Sequence, residues 1–150
     1  MPNAARKAAR EPASIRYKNP GAMWPGKSAK KYGSTSSVTL NDGRGNKIAV
    51  FPDVVHGAAA QFDLWRSNYC DMSLLSAIKK WSGHNSSAAY MAFLRKRVAI
   101  TPQTKVTPAL LASPKGIDLM KAQAHWEAGK PYPMTEEQWA EAQRTVFPVA

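Results

Sequence analysis

Cysteine and histidine are scarce in this chain of 150 residues, which has one cysteine, Cys70, and three histidines. A single cysteine cannot close an internal disulfide, and the histidines are scattered without the spacing of zinc ligands. The sequence therefore excludes a disulfide scaffold and a structural zinc site. No Gly-x-Ser-x-Gly turn presents a serine nucleophile. Neither a metal nor an organic cofactor is implied, and the packed core must stabilise the fold.

Long hydrophobic runs are also lacking. No segment approaches 18 consecutive apolar residues, so no membrane span is predicted. The first fifteen residues lack the continuous apolar stretch of a secretory signal. Hydrophobic residues still make up 44% of the chain and charged residues 21%, which are ordinary values for a globular domain of this length. We therefore expect a soluble, monomeric protein.

Acidic residues are few: ten carboxylates stand against 21 lysines and arginines, for a net charge of +11. Such an excess indicates a polyanionic partner, either nucleic acid or an anionic bacterial envelope. No helix-turn-helix, zinc-finger or RNA-recognition motif accompanies the charge, which disfavours specific nucleic-acid binding. Residues 1–14 are rich in alanine and arginine and are predicted to form a basic flexible arm, with one domain over residues 15–150.

Hydrophobic periodicity predicts an α+β fold, mostly α, with about six helices and one β-hairpin. Residues 15–37 are rich in glycine and proline and are expected to form an irregular loop. The next predicted elements are a hairpin over residues 37–51, a helix over 54–69, and a helix capped at Asp71 and ended by Gly83. A helix from Ser86 and a short helix after Thr107 follow. The last two are a helix over 114–127 and a helix opened by a capping box of Thr135 and Gln138.

Glu127 is the carboxylate with the most informative position. At 100° per residue it continues the apolar stripe formed by Ile117, Met120 and Ala124 along one helix. One interpretation is an exposed helix end beside Lys130. The other is a general acid, because aromatic neighbours that desolvate a carboxyl raise its pKa towards the range where it can donate a proton.

Asp42 is the one acid in the predicted hairpin. It could supply a second catalytic carboxylate, as glycoside hydrolases commonly use a pair. It also lies in an Asn-Asp-Gly turn, where aspartate is favoured because its side chain bonds to the local backbone. Both interpretations stay open from the sequence.

Four short motifs resemble, in order and spacing, a group of phage and bacterial lysozyme-like proteins known as virion structural proteins, endolysins or muramidases. The first is RYKNPGAM at residues 16–23, similar to the Asn-Pro-Gly opening of that group. The others are FPDVVHGAAA at 51–60, WSGHNSSAAY at 81–90 and HWEAGKPY at 125–132. Together they span about residues 15–138.

The motif order is similar to a circular permutation of the goose-type lysozyme and lytic transglycosylase fold. Permutation is physically reasonable because domain termini often lie close together. The resemblance implies a lysozyme-like catalytic domain with Glu127 as the acid. It also implies a cleft wall and sugar-contacting side chains at Gly21, Ala22, Met23, Trp81, Asn85, Tyr90 and Tyr132. The glutamine of the family's loop is not matched, since Trp24, Pro25 and Gly26 follow Met23.

The implied activity is cleavage of the β-1,4 bond between N-acetylmuramic acid and N-acetylglucosamine in peptidoglycan, by hydrolysis or by transglycosylation. The protein would then act in the periplasm or cell wall, and the lack of a visible signal suggests a phage-encoded or specially exported protein. The alternative is a non-catalytic virion structural or glycan-binding protein with the same fold. A basic nucleic-acid binder is the third hypothesis.

Overall fold

The computed structural model describes residues 11–149 and confirms the α+β, mostly helical class. The described residues form eight helices and one antiparallel hairpin. The elements are α1 (Ala13–Arg16), α2 (Lys27–Lys31), β1 (Ser36–Thr39), β2 (Lys47–Val50), α3 (Val54–Asn68), α4 (Leu74–Ser82), α5 (Ser87–Arg95), α6 (Pro108–Leu111), α7 (Pro114–Ala128) and α8 (Glu136–Val146).

Most predicted helix ends are found where the local chemistry places them. Thr107 caps α6 through its side chain. Thr135 and Gln138 form the reciprocal hydrogen bonds of a capping box at the start of α8. Gly83 and Gly129 end α4 and α7 in the left-handed conformation, which glycine adopts without steric cost.

The predicted cap of α4 at Asp71 is wrong. Ser73 caps this helix instead, since its Oγ accepts a hydrogen bond from the Ser76 N–H at 3.1 Å. Asp71 has a φ of 69° and lies before the helix, where its N–H donates to the Val106 carbonyl. The pairing of this turn with the segment around Val106 is a long-range contact that periodicity does not reveal.

The expectation of an irregular loop over residues 15–37 is also wrong in part. The segment contains α2, a helix too short to show a hydrophobic period, and β1 begins at Ser36. Tertiary contacts hold α2: Ala29 is fully buried, and the Ser28 hydroxyl donates to Asp63 of α3 at 2.8 Å. α1 starts two residues before the predicted domain start, and residues 1–10 of the predicted arm lie outside the described residues.

The core is built around α3. Phe62 and Trp65 of this helix are fully buried and pack in one cluster with Met120 of α7 and Trp139 of α8. The hairpin contributes Ala49 to a second cluster that contains Ala60 of α3, and β1 and β2 pair in antiparallel register. In this arrangement α7 packs against both α3 and α5, and the segment before α2 crosses α3 at Gly57.

Candidate active site

Glu127 lies partly buried in the last turn of α7. Its Oε2 accepts a hydrogen bond of 2.7 Å from the hydroxyl of Tyr90, a residue of α5 that is 1% exposed. The Tyr90 ring stacks on Trp126 with 4.7 Å between centroids. Burial raises the pKa of Glu127 to about 7, against the opposing effect of the Tyr90 hydrogen bond. Lys130 Nζ lies 4.0 Å from Glu11 Oε1, and Glu127 is part-buried, which differs from the alternative of an exposed helix end.

Gly21, Ala22 and Met23 form a braced turn. Asn19 is fully buried beneath it and donates through Nδ2 to the carbonyls of Met23 and Ala49, at 2.9 and 2.8 Å. Its Oδ1 accepts the Met23 N–H at 3.0 Å. Ala22 has a φ of 49°, a conformation that needs such support. The asparagine of the first motif therefore fixes the turn to β2.

Two of the sequence motifs contact each other directly. A Cβ on Gly57, in α3, would lie 2.1 Å from the carbonyl oxygen of Lys18 and 2.9 Å from Cδ of Pro20. Only glycine allows the chain to cross the helix this closely. Phe51 also donates its N–H to the carbonyl of Tyr17 at 3.1 Å. Gly57, the glycine of the second motif, is thus required because the first motif passes so close to α3.

A groove of about 600 Å³ opens beside this turn. Of the residues expected to contact sugar, Ala22, Met23 and Trp81 line it, together with Tyr69 and with Trp24, which is 65% exposed. The groove also has a positive rim, formed by Lys27, Lys31 and Lys80. Exposed aromatic faces and cations suit a ligand with sugar rings and negative charge.

Gly21 packs on two side chains, one of which is hydrogen-bonded to the helix that carries Glu127. A Cβ on Gly21 would lie 3.1 Å from both the Trp81 ring and Cγ of Gln61, so the turn sits tightly on these side chains. Gln61 donates to Gln123 Oε1 at 2.8 Å, and Gln123 precedes Glu127 by one helical turn on the same face of α7. The two glutamines therefore link α3 to α7, and neither they nor Glu127 are among the residues that line the groove.

Sequence analysis missed Gln61 and Gln123, both fully buried, and Asp63, which is 3% exposed and lines the groove. Asp63 accepts hydrogen bonds from Ser28 and from Arg66, which binds it at 2.5 Å. The sequence did carry a signal for them. Each of these polar residues lies between two apolar residues of its helix, and a position with apolar neighbours is seldom exposed to solvent.

Tyr132 and Asn85 are not among the residues that line the groove. Tyr132 is buried, its hydroxyl donates to the Ser14 carbonyl at 2.7 Å, and it lines a separate cavity of about 260 Å³. Asn85 lies exposed in the turn between α4 and α5, with its N–H directed to the Ser82 carbonyl. Tyr90 is placed beneath Glu127, as a partner of the acid.

Asp42 lies exposed in the hairpin turn. Its carboxylate accepts the Arg44 N–H and the Asn46 side-chain amide, both at 2.8 Å. These bonds lower the pKa of Asp42, the Arg44 N–H having the largest effect. The local bonds account for aspartate at this position, and its role as a second catalytic carboxylate stays a prediction.

Within residues 11–149, no group of three or more histidine, cysteine or acidic side chains is arranged to hold a metal ion. No helix in the same part of the chain has the length and apolar character needed to cross a membrane. Compared with known proteins, the chain matches no family model and no curated protein.

Proposed function

We propose that this protein is a peptidoglycan-cleaving glycosidase of the lysozyme type in which Glu127 is the general acid. The observation that carries the proposal is a carboxyl with a pKa of about 7 at the end of α7, which accepts a hydrogen bond from the Tyr90 hydroxyl beside the stacked ring of Trp126. An acid that keeps its proton near neutral pH can protonate a glycosidic oxygen.

The reaction uses Glu127 twice. The carboxyl first protonates the oxygen that links N-acetylmuramic acid to N-acetylglucosamine, and the bond breaks through an oxocarbenium-like transition state. The resulting carboxylate, stabilised by the Tyr90 hydroxyl, then accepts a proton from the attacking nucleophile. That nucleophile is water in a hydrolase or the 6-hydroxyl of the sugar in a transglycosylase.

The groove, whose lining does not include Glu127, is proposed to bind a neighbouring part of the glycan strand. Trp24 and Trp81 offer faces on which sugar rings stack, while the lysines of the rim face a polymer that carries carboxylates. The net charge of +11 favours encounter with an anionic envelope. We therefore propose the bacterial cell wall as the place of action, reached by release from a phage-infected cell, within a virion or by dedicated export.

The test is the clearing of outer-membrane-permeabilised Gram-negative cells, with mass spectrometry of the released muropeptides. We expect clearing by the wild-type protein and by Glu141→Gln, which removes an exposed carboxylate of α8, and none by Glu127→Gln. Reducing ends in the products indicate a hydrolase, and anhydro ends a transglycosylase.

The alternative function predicts a different result. If neither the wild type nor Glu127→Gln releases muropeptides and both bind isolated sacculi, the glycosidase proposal is wrong. The fold then serves as a glycan-binding or virion structural module. Activity that persists in Glu127→Gln would instead assign the chemistry to another residue.

A further inference from the structure

The lining of the groove carries a net positive charge that a ligand can balance. Its charged residues are three lysines and one acid, Asp63, which leaves a net charge of +2. The carboxylate of Asp63 is already engaged within the protein, because Oδ2 accepts a hydrogen bond from the Ser28 hydroxyl at 2.8 Å and Oδ1 accepts one from Arg66 at 2.5 Å. The groove therefore suits a ligand with negative charge.

The three lysines differ in how ready they are to bind an anion. Lys31 Nζ lies 3.5 Å from Asp63 Oδ1, so part of its charge is balanced by the protein. Lys27 is exposed at the start of α2, and ordering its long side chain costs conformational entropy on binding. Lys80, in the last turn of α4, has neither disadvantage.

The ammonium group of Lys80 is already held beside the groove. Its Nζ donates to the carbonyl of Asn68, the last residue of α3, at 2.6 Å. The same Nζ lies 4.6 Å from the centre of the Tyr69 ring. An ammonium group has three N–H donors and Asn68 uses one, so donors are left for a ligand. Because the side chain is ordered before binding, little entropy is lost when an anion binds.

The uncharged part of the lining indicates that the ligand is a sugar. Trp24 and Trp81 supply aromatic faces on which sugar rings stack. Ser67 and Asn68 are exposed in the lining, where their hydroxyl and amide groups can bond to sugar hydroxyls. A nucleic-acid strand carries a phosphate at every nucleotide and is bound along an extended basic track. One fixed cation in a groove of about 600 Å³ fits a single acidic sugar better.

We propose that the groove binds a glycan that carries a carboxylate, and that Lys80 is the residue that selects it. The ammonium group forms a charge-assisted hydrogen bond with the carboxylate, which a neutral glycan of the same shape lacks. In peptidoglycan the carboxylate belongs either to the lactyl group of N-acetylmuramic acid or to the attached peptide. The inference rests on the proposed function in taking the groove as a glycan site.

The test compares two disaccharides in NMR titrations of the intact protein. One is N-acetylglucosaminyl-N-acetylmuramic acid, which has a free lactyl carboxylate and lacks the bond that the proposed reaction breaks. The other is its neutral counterpart, N,N′-diacetylchitobiose. We expect the wild type to bind the acidic disaccharide about tenfold more tightly, and Lys80→Gln to bind both equally with its affinity for chitobiose unchanged. A wild type without this preference, or equal losses for both sugars in Lys80→Gln, overturns the proposal.

Two variants separate the charge of Lys80 from its contact with α3. Lys79→Gln is the matched control, since Lys79 is an exposed lysine of the same helix that does not line the groove. It should keep the preference for the acidic disaccharide. Lys80→Arg keeps the charge and should retain most of the preference, whereas Lys80→Gln keeps only an N–H donor for the Asn68 carbonyl. A loss in Lys79→Gln or Lys80→Arg as large as in Lys80→Gln overturns the proposal.

Two further ligands identify the source of the negative charge. In a muropeptide the lactyl group is in amide linkage, so the free carboxylates lie in the peptide. Binding of the muropeptide that depends on Lys80 assigns the recognised carboxylate to the peptide, and a loss of that dependence assigns it to the lactyl group; both results support the proposal. If a single-stranded oligonucleotide binds more tightly than either acidic sugar and depends on Lys80, the ligand is nucleic acid and the proposal is wrong.

The two proposals fail in different ways. If Glu127→Gln still releases muropeptides while Lys80→Gln loses its preference, the catalytic assignment fails and the groove is still a site for acidic glycans. If Glu127→Gln is inactive while Lys80→Gln keeps the preference, the glycosidase proposal stands. Lys80 then serves only to cap the end of α3.

Discussion

Glu127 makes the folded state less stable whenever its carboxyl is charged. Its pKa is about 7 in the folded protein and 4.5 as the ordinary value, so folding favours the protonated form. The stabilisation that comes from protonated Glu127 is fully present below pH 4.5 and is lost as the pH rises through about 7. The difference between the two pKa values corresponds to a loss of about 3 kcal/mol in the free energy of unfolding at alkaline pH.

Glu127→Gln, which mimics the protonated carboxyl, should therefore stabilise the protein in a pH-dependent way. We expect the free energy of unfolding to rise by up to about 3 kcal/mol at pH 8 and to change little at pH 4. Denaturant unfolding at the two pH values measures this, with Glu141→Gln as the exposed control. Equal changes at both pH values would show that the folded-state pKa is not raised.

Tyr90→Phe should move the alkaline limit of cleavage upwards. The Tyr90 hydroxyl stabilises the charged form of Glu127, and a hydrogen bond to a charged group contributes about 1.5–3 kcal/mol, so its loss should raise the pKa by about one to two units. The pH profile of muropeptide release is the measurement. A limit that moves down or does not move contradicts the assignment of Tyr90 as the partner of the acid.

At the level of elements, one contact fixes the position of the groove wall. It is the place where the segment before Gly21 crosses α3. Gly57→Ala places a methyl group against the Lys18 carbonyl, and overpacking of this kind costs about 1–3 kcal/mol. This cost should exceed the gain of about 1 kcal/mol from alanine's higher helix propensity. We expect lower stability and weaker binding to sacculi, measured by unfolding and co-sedimentation.

Gly26 is the matched control for this substitution. It lines the same groove, its backbone is extended, and no atom lies within 4 Å of an added Cβ. Gly26→Ala should leave stability within about 0.5 kcal/mol of the wild type. Similar losses in the two variants would mean that the crossing at Gly57 does not hold the wall.

For the whole molecule, the decisive property is the net charge of +11. Binding to purified sacculi should weaken strongly between 50 and 500 mM salt, because the Debye length falls from roughly 14 Å to about 4 Å over this range. Chitin carries no charge, so binding to it should change much less. Equal salt dependence on both polymers would show that the charge serves another partner, and retention on DNA instead would favour the nucleic-acid hypothesis.

Prediction from the sequence worked where local chemistry decides the outcome. The capping box at Thr135 and the glycine stop at Gly129 are properties of a few neighbouring residues, and both are observed. Prediction failed at α2 and at the cap of α4, since these depend on contacts with residues that are distant in the chain. The partners of Asp63 show this, because Ser28 lies 35 positions away.

The sequence alone determined the α+β class, most helix ends and the placing of Glu127 on an apolar stripe, because all of these follow from periodicity and local hydrogen bonding. Only the tertiary structure decided that Tyr90 is the partner of this carboxyl, that Gln61 and Gln123 are hydrogen-bonded between α3 and α7, and that Tyr132 is directed elsewhere. The pKa of an acid depends on its neighbours in space, and α3, α5 and α7 become neighbours only when the core packs.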